Sequence, residues 1–226
     1  FDSKSRTWKL KEGVVDSSPL SDTPRPGNAK FKKLTPVDPN STNPYQLTEA
    51  DRTVIGNTTP KFSGGFGLNA TYKGFDMSMF FNFMYDFDVL NANKIMLTTW
   101  ADNKENNFLM DIASDKRWRN FADMGNEIRY SPEVLAEFNK NATMWNPTSI
   151  GRPICMSYAV EDGSFLRLNS ATLGYTLPSV WTKKVGLSKV RFYVSGNNLF
   201  TLTGYSGYDP EVNIATGLTP NIDYNR

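Results

Sequence analysis

Histidine is absent from the sequence of 226 residues, and cysteine occurs once, as Cys155. Without histidine the chain cannot build a Ser-His-Asp or Cys-His catalytic group, a His-ligated zinc site or a histidine general base. A single cysteine excludes an intrachain disulfide and a thiolate cluster. No apolar run approaches the roughly 18 residues that a transmembrane helix needs. These absences remove the commonest catalytic and metal-binding chemistries.

An excess of charge of one sign is also lacking, since 25 lysine and arginine residues face 23 aspartate and glutamate residues. No strong field therefore indicates nucleic acid or anionic lipid as a partner. Adjacent carboxylates such as Glu161 and Asp162 have the composition of a glycosidase pair, but in loop sequence they are interpreted as solvated surface. The sequence predicts no enzyme, no catalytic residue, no cofactor and no metal ligand.

Aromatic residues, by contrast, make up 13% of the chain, and many of them lie in one alternating segment. Between Phe62 and Tyr72, apolar residues alternate with small or polar ones at the period of a β-strand. Lys73-Gly74 is typical of a tight hairpin turn, because glycine supplies a positive φ. The predicted return strand carries seven large apolar residues on one face: Phe75, Met77, Met79, Phe81, Phe83, Tyr85 and Phe87.

A second hairpin is predicted over residues 164–201. The apolar residues of its first strand, Phe165–Tyr175, change parity halfway, and a β-bulge at Asn169-Ser170 would return them to one face. In the connection, Pro178 is expected to open a single helical turn and Gly186 to close it. The last strand, 190–201, alternates without interruption.

Two kinds of strand fit this alternation, a sandwich strand that faces a soluble core and an outer-membrane strand that faces lipid. Phenylalanine and methionine dominate, and tyrosines stand toward the strand ends, which favours the lipid-facing interpretation. About ten tilted residues cover roughly 23 Å, close to the apolar band of an outer-membrane barrel. The predicted lipid-facing residues are Phe75, Met77, Met79, Phe81, Phe83, Val190, Phe192 and Val194. The predicted lumen-facing residues are Asp76, Asn82, Asp86, Arg191, Tyr193 and Asn197.

The hairpins, at 61–87 and 164–201, alternate with long segments rich in proline and asparagine. Residues 1–60, 88–163 and 202–226 are predicted extracellular loops, because long external loops and short periplasmic turns are typical of outer-membrane barrels. The predicted fold is therefore all-β, a partial antiparallel transmembrane β-barrel. Four strands cannot close a barrel and would leave open edges. The chain is expected to be part of a longer outer-membrane protein.

The loops are expected to carry short regular elements. A short strand is predicted near Thr7–Leu10, and helical signals are present at 107–119 and 131–141. In the second of these, Ser131-Pro132 is typical of a helix start. The apolar residues Val134, Leu135 and Phe138 are expected to share one face of that helix.

Three stretches of the sequence form a distinctive set. They are Asp51-Arg52-Thr53-Val54-Ile55-Gly56-Asn57 with the turn at 72–76, then Glu161-Asp162-Gly163-Ser164-Phe165-Leu166-Arg167-Leu168 with 172–178, then Val190-Arg191-Phe192-Tyr193-Val194-Ser195-Gly196-Asn197-Asn198-Leu199-Phe200-Thr201 with Tyr205-Ser206-Gly207-Tyr208-Asp209-Pro210-Glu211. In this order and spacing they resemble the C-terminal quarter of the SusC/RagA-type TonB-linked outer-membrane transporters of Bacteroidetes. The matching stretches cover somewhat under half of the chain.

The resemblance implies a barrel of about 22 strands with a plug domain. The same resemblance implies that the plug domain and the final strand of the barrel both lie outside this chain. It also implies a SusD-like surface lipoprotein as partner, the TonB complex acting through the absent N-terminal part, and a glycan or peptide as substrate. Outer-membrane lipid would surround the barrel. Family members often carry an acidic, glycine-containing stretch before the Asp-Arg-Thr motif, but residues 35–43 lack it, so calcium is not predicted there.

Two other functions remain open at this point. A soluble extracellular β-sandwich that binds carbohydrate would be a water-soluble monomer with a complete set of strands. A passive porin-like barrel would have no plug domain upstream. The set of motifs favours the importer over both.

Overall fold

The structure is a computed structural model and describes residues 9–99, 108–112, 116–119, 132–147, 154–212 and 221–223. These residues belong to two compact units, one within residues 1–55 and 92–159 and the other within 56–91 and 160–223. Among the described residues there is no helix of the length and apolarity that crossing a membrane requires. All strands of the described residues lie in the second unit.

The first hairpin consists of β1, Phe62–Tyr72, and β2, Phe75–Tyr85. Every residue pairs in an unbroken antiparallel register, from Phe62 opposite Tyr85 to Tyr72 opposite Phe75. Lys73 and Gly74 both have positive φ, 45° and 90°. A Cβ at Gly74 would also lie 2.8 Å from the carbonyl oxygen of Thr176. Both the positive φ and this close approach therefore require glycine at position 74. The predicted strand, turn and start of the return strand are confirmed.

Two further strands, β5 at Phe165–Thr176 and β6 at Arg191–Thr203, extend this hairpin into a four-stranded antiparallel sheet with the order β1-β2-β5-β6. The register shifts between Leu168 and Ser170, which leaves Asn169 outside the ladder. This is the bulge that the change of parity predicts. It places the apolar residues of β5 in one row with those of β2: Leu166, Leu168, Ala171, Leu173 and Tyr175.

The connection between β5 and β6 contains the short helix α3, Ser179–Lys184. It follows Pro178 and ends before Gly186, whose φ is +75°. The amide of Leu177 donates to the carbonyl of Val190 at 2.9 Å and ties the two ends of the connection together. The predicted helical turn is confirmed.

A second, smaller sheet has the order β4-β3-β7, with β3 at Asp88–Asn91, β4 at Val160–Asp162 and β7 at Ile222–Asp223. Strand β3 pairs antiparallel with β4 and parallel with β7. Beside it lies the core of this unit, in which four side chains are at most 6% exposed: Phe87, Val89, Phe165 and Tyr205. None of these short strands was predicted.

The end of β2 corrects one prediction. The alternation suggests that the return strand continues to Phe87, but β2 ends at Tyr85 and Asp86 has a φ of +59°. The chain therefore turns, and Phe87 is 3% exposed in the core beside the small sheet. Its place on the apolar face of the strand was predicted wrongly.

In the first unit, described residues 9–55 form no strand, and Thr7 and Trp8 lie outside the described residues. The helix predicted over 107–119 is wrong where it is described, since Met110–Ile112 is a 3₁₀ turn and Arg117 forms a β-bridge with Met144. Besides α1 at Ala92–Met96, this unit has 3₁₀ turns at Glu49–Asp51 and Ser157–Ala159.

Helix α2, Pro132–Asn139, confirms the second helical signal and begins at the predicted proline. Ser131, its predicted cap, lies outside the described residues. The helix places Val134, Leu135 and Phe138 on one side, as expected from their spacing. Only Leu135 of the three is buried, whereas Val134 and Phe138 are 41% and 45% exposed. Asn139 of α2 is also buried, and its amide group exchanges two hydrogen bonds with the backbone of Arg119.

Candidate functional site

The four-stranded sheet has two chemically different faces, because successive residues of a strand point to opposite sides. We call them the apolar face and the polar face. The apolar face consists of Phe62, Phe66, Leu68, Tyr72, Phe75, Met77, Met79, Phe81, Phe83, Tyr85, Leu166, Leu168, Ala171, Leu173, Tyr175, Phe192, Val194, Phe200 and Leu202. The polar face includes Asp76, Ser78, Phe80, Asn82, Arg167, Ser170, Thr172, Arg191, Tyr193, Ser195, Asn197 and Thr201.

Most of the predicted site residues fall on these two faces as expected from their parity. The register brings seven of the predicted lipid-facing residues onto the apolar face, and Val190 lies just before β6. Five of the predicted lumen-facing residues lie on the polar face. Asp86 does not, because it follows the end of β2, where it forms an ion pair with Lys61. Which environment each face contacts stays a prediction.

The clearest geometry on the polar face is the ion pair between Asp76 and Arg191. The guanidinium donates two parallel hydrogen bonds, from Nε to Oδ1 at 3.0 Å and from Nη2 to Oδ2 at 2.5 Å. The two residues lie on β2 and β6, so the pair spans the strand between them. Gly174 of β5 makes this contact feasible, because a Cβ there would lie 2.5 Å from Nη2 of Arg191 and 2.7 Å from Oδ1 of Asp76.

Replacing Gly174 with alanine is therefore expected to separate Asp76 from Arg191. The test is a double-mutant cycle with Asp76→Ala and Arg191→Ala, read by thermal unfolding of the complete natural protein that carries this chain. The cycle should give a favourable coupling with Gly174 present and none with Gly174→Ala. Gly204→Ala is the matched control, since no atom lies within 4 Å of a Cβ at that glycine. A coupling that survives Gly174→Ala contradicts the role of this glycine.

Arg167 forms a second charged cluster near the other end of β5. Its Nε donates to the hydroxyl of Thr201 at 3.2 Å, and its terminal nitrogens form ion pairs with Asp209 and, at 3.0 Å, with Glu211. The Arg167 side chain is 11% exposed, whereas Asp209 remains half exposed. The cluster fastens the segment after β6 to the polar face. Arg167 was not predicted as a site residue, although it and Asp209-Pro210-Glu211 both belong to the recognised motifs.

The segment after β6 is also fixed by Tyr205 and Ser206. The Tyr205 hydroxyl donates to Asp223 at 2.6 Å, and Ser206 donates from its amide and its hydroxyl to the two carboxylate oxygens of Glu161, at 2.9 and 2.8 Å. Burial, reinforced by the neighbouring carboxylate of Asp223, raises the pKa of Tyr205 far above its usual range. Tyr205 therefore stays a neutral hydrogen-bond donor. Together, these hydrogen bonds hold the segment after β6 in a defined position at the loop end of the polar face.

Aromatic contacts run across the apolar face. The rings of Phe66 and Phe81 stack at a centroid distance of 4.9 Å, and those of Phe75 and Tyr175 lie 4.5 Å apart. Much of this face is nevertheless open, with Leu68 and Phe192 51% and 63% exposed. A contiguous aromatic and aliphatic surface of this extent indicates contact with lipid or with another apolar surface.

Among the described residues, no three or more histidine, cysteine, aspartate or glutamate side chains are grouped as a metal site. The cysteine of the chain, Cys155, is exposed. The polar groups that the sheet does bring together are ion pairs and hydrogen bonds that join strands and fasten loops.

Known proteins share sequence with most of this chain. The chain is 36% identical over 202 residues to "TonB-dependent receptor P3" of Formosa agariphila, a match that covers 89% of this chain and 17% of that protein. It is 28% identical over 176 residues to "TonB-dependent receptor P39" and 27% identical over 215 residues to "TonB-dependent receptor P26" of the same organism. The chain thus spans less than a fifth of the length of these relatives. No family model matches.

Solved structures show a similar fold. The chain matches a chain of the RagAB peptide importer in its "open-open" state with a TM-score of 0.55 and 22% identity, over 79% of this chain and 17% of that one. The importer in its "closed-closed" state gives the same values. A third structure, of the RagAB peptide transporter, gives a TM-score of 0.54 over 75% of this chain.

Proposed function

Since the chain belongs to the TonB-dependent receptors of SusC/RagA type, we propose that it supplies C-terminal barrel strands of an outer-membrane nutrient importer. The observation that carries this proposal is the apolar face, which runs without a charged residue across all four strands of the sheet. A soluble sandwich would cover such a face with a second sheet. In an outer-membrane barrel it contacts lipid directly.

In this proposal the polar face lines the barrel lumen. The Asp76–Arg191 pair would join β2 to β6 across β5 on the lumen side, and Arg167 would hold the segment after β6 over the loop end of the same surface. Asn82, Tyr193 and Asn197 would face the lumen or the plug domain. The segments 1–60, 88–163 and 202–226 would lie outside the cell, and the turns at 73–74 and 177–190 in the periplasm.

The substrate class follows from the family, and we propose a glycan or an oligopeptide too large for passive pores. The structures similar in fold include a peptide importer. We further propose a SusD-like surface lipoprotein as the partner outside the cell. The TonB complex would supply the energy through a part of the protein beyond this chain.

The test uses the complete natural protein in its own cells. We expect a chain several times heavier than 25.5 kDa in the outer-membrane fraction, which co-purifies with a surface lipoprotein. Uptake of fluorescent oligopeptides and of fluorescent oligosaccharides should be compared in the parent strain, a deletion strain and a strain without TonB. One probe class should enter the parent strain and fail to enter both others.

Two outcomes contradict the proposal. Uptake that persists without TonB but requires this protein would favour a passive porin-like barrel. A water-soluble carbohydrate-binding species near 25.5 kDa would favour the β-sandwich module instead.

A further inference from the structure

The connection between β5 and β6 exposes its apolar residues and buries a polar one. On and after α3, Val180, Trp181 and Val185 are 67%, 59% and 70% exposed, whereas Thr182 is 2% exposed. A turn that faced only water would place the tryptophan inward and the threonine outward. The inverted arrangement indicates that something apolar covers this side of α3.

The turn is closed by backbone hydrogen bonds at both of its ends and around α3. Its ends are joined by the hydrogen bond from Leu177 to Val190. The amide of Leu187 returns to the carbonyl of Thr182 at 3.0 Å, after Gly186 has reversed the chain with its positive φ. These hydrogen bonds fix the backbone around Trp181, whose side chain points outward.

An aromatic row lies at the edge of the sheet from which α3 emerges. The register places Tyr72, Phe75, Tyr175 and Phe192 next to one another across all four strands. Tyrosine and tryptophan concentrate at the boundary between the apolar band and the headgroups. Trp181 comes only six residues after Tyr175, which places α3 at the level of the headgroups if the row marks that boundary.

The charges of the same edge have one sign. Residues 177–190 contain Lys183, Lys184 and Lys189 and no acidic residue, and the lysine of the neighbouring turn is Lys73. All four lysines are exposed. The carboxylate closest to this edge on the polar face, Asp76, already forms a bidentate pair with Arg191. The basic residues are thus available to a negatively charged surface.

We propose that α3 and its flanking residues form an interfacial anchor that inserts Trp181, Val180 and Val185 among the lipids and binds anionic phospholipid headgroups through Lys183, Lys184 and Lys189. Continuity with the apolar face and charge complementarity both favour this occupant. The inference rests on the proposed function, because it requires the apolar face to contact a bilayer.

The depth of α3 can be measured in the complete protein, reconstituted in nanodiscs of equal parts phosphatidylcholine and phosphatidylglycerol. Spin labels are attached at Trp181→Cys and Val185→Cys, in a background with Cys155→Ser and no other reactive cysteine. Both labels should be relaxed more by oxygen than by a water-soluble nickel chelate. Phe81→Cys serves as the lipid reference and Tyr208→Cys, at a side chain 90% exposed, as the water reference.

The references separate failure of the anchor from failure of the proposed function. If position 81 reports lipid but positions 181 and 185 report water, the anchor is wrong and the barrel stands. If position 81 also reports water, the proposed function fails. Labels at 181 and 185 that are shielded from both reagents would mean that protein covers α3, which also overturns the anchor.

Lipid selectivity is tested with a fluorophore at Val185→Cys and quenchers on the headgroup of either phosphatidylglycerol or phosphatidylcholine. Quenching should favour the anionic lipid. The triple variant Lys183→Gln, Lys184→Gln, Lys189→Gln should lower that preference at least about fivefold, since one lysine near an anionic surface contributes about that factor. Lys11→Gln, Lys30→Gln, Lys32→Gln removes the same charge from exposed lysines of the other unit and should leave it unchanged. Equal effects of the two triple variants would overturn headgroup binding by α3.

Discussion

Phe81→Arg is expected to prevent most of the complete protein from assembling in the outer membrane. Phe81 lies near the middle of β2, stacked on Phe66 and opposite Leu168 of β5. If the apolar face contacts lipid, an arginine there sits near the bilayer midplane, where it costs about 2–4 kcal/mol. The arginine would also lose the stacking contact with Phe66.

Phe80→Arg is a closely matched control, because the same residue type is changed one position earlier and on the opposite face. Phe80 is 45% exposed on the polar face, and its ring lies above Gly65, where a Cβ would be 2.8 Å from its Cζ. The residues of β2 next to it on the polar face are Ser78 and Asn82, which are both polar. A guanidinium at position 80 can therefore be hydrated. We expect normal or slightly reduced assembly of this variant.

The measurement is the amount of each variant in the outer membrane, together with the fraction that shows the heat-dependent gel mobility of a folded barrel. The assignment of the faces predicts a large loss for Phe81→Arg and a small one for Phe80→Arg. The reverse order would mean that lipid and lumen are exchanged. Equal and severe losses would indicate that both faces are buried, as in a soluble sandwich.

The strands and their bulge could be predicted because their signals are local. Alternation with a period of two fixes the faces of β1 and β2, and the change of parity in β5 requires one extra residue near Asn169. The partner strand β6 compensates with an irregularity of its own at Asn198, whose φ is +50°. Asparagine tolerates that conformation better than most residues, but nothing in the alternation of β6 signals it.

The small sheet could not be predicted, because its strands are short and its partners are far apart in sequence. Leu90 pairs with Ile222 in parallel, a contact that no local pattern encodes. The end of β2 is hidden for a different reason, since Phe87 continues the alternation of the strand while Asp86 turns the chain. Local periodicity cannot distinguish a strand residue from a core residue of the same parity. The same limit concealed the cluster around Arg167, whose partners follow another strand.

Asp51→Asn is expected to loosen residues 33–51 strongly, although it changes almost no volume. Asp51 is buried, and its Oδ1 accepts hydrogen bonds from the amides of Leu34 and Thr35 at 2.9 and 2.7 Å and from the Thr35 hydroxyl at 2.8 Å. Its Oδ2 accepts from the amide and hydroxyl of Thr48 at 2.9 and 3.2 Å and lies 3.4 Å from the ammonium of Lys33. Every one of these partners is a donor.

An asparagine at position 51 keeps one acceptor oxygen and replaces the other with a donating amide group. Either orientation leaves at least one of these partly buried backbone amides facing another donor. We expect hydrogen exchange of the Leu34, Thr35 and Thr48 amides to accelerate by about 10- to 100-fold, since leaving a donor unsatisfied inside the fold carries a penalty of this order. Asp38→Asn is the control, because Asp38 is exposed and its side chain accepts from the amide of Asn40 two residues away. Unchanged exchange in Asp51→Asn would show that this carboxylate does not hold the segment.

The same network sets the pH dependence of the segment. The amide of Thr35, with help from those of Thr48 and Leu34, holds the pKa of Asp51 far below its usual range, despite the opposing effect of burial. A carboxyl group with a depressed native pKa stabilises the fold above the pKa of the unfolded chain, about 3.9 for aspartate. That contribution is lost as the pH falls through the lower native value. In the wild type, the Thr35 and Thr48 amides should therefore be protected from hydrogen exchange at neutral pH and lose that protection in strong acid. In Asp51→Asn the same amides should be weakly protected at neutral pH, and strong acid should cause no further loss through this carboxylate. A step of equal size in both proteins would assign the acid sensitivity to another carboxyl group and contradict the role of the Asp51 carboxylate in holding this segment.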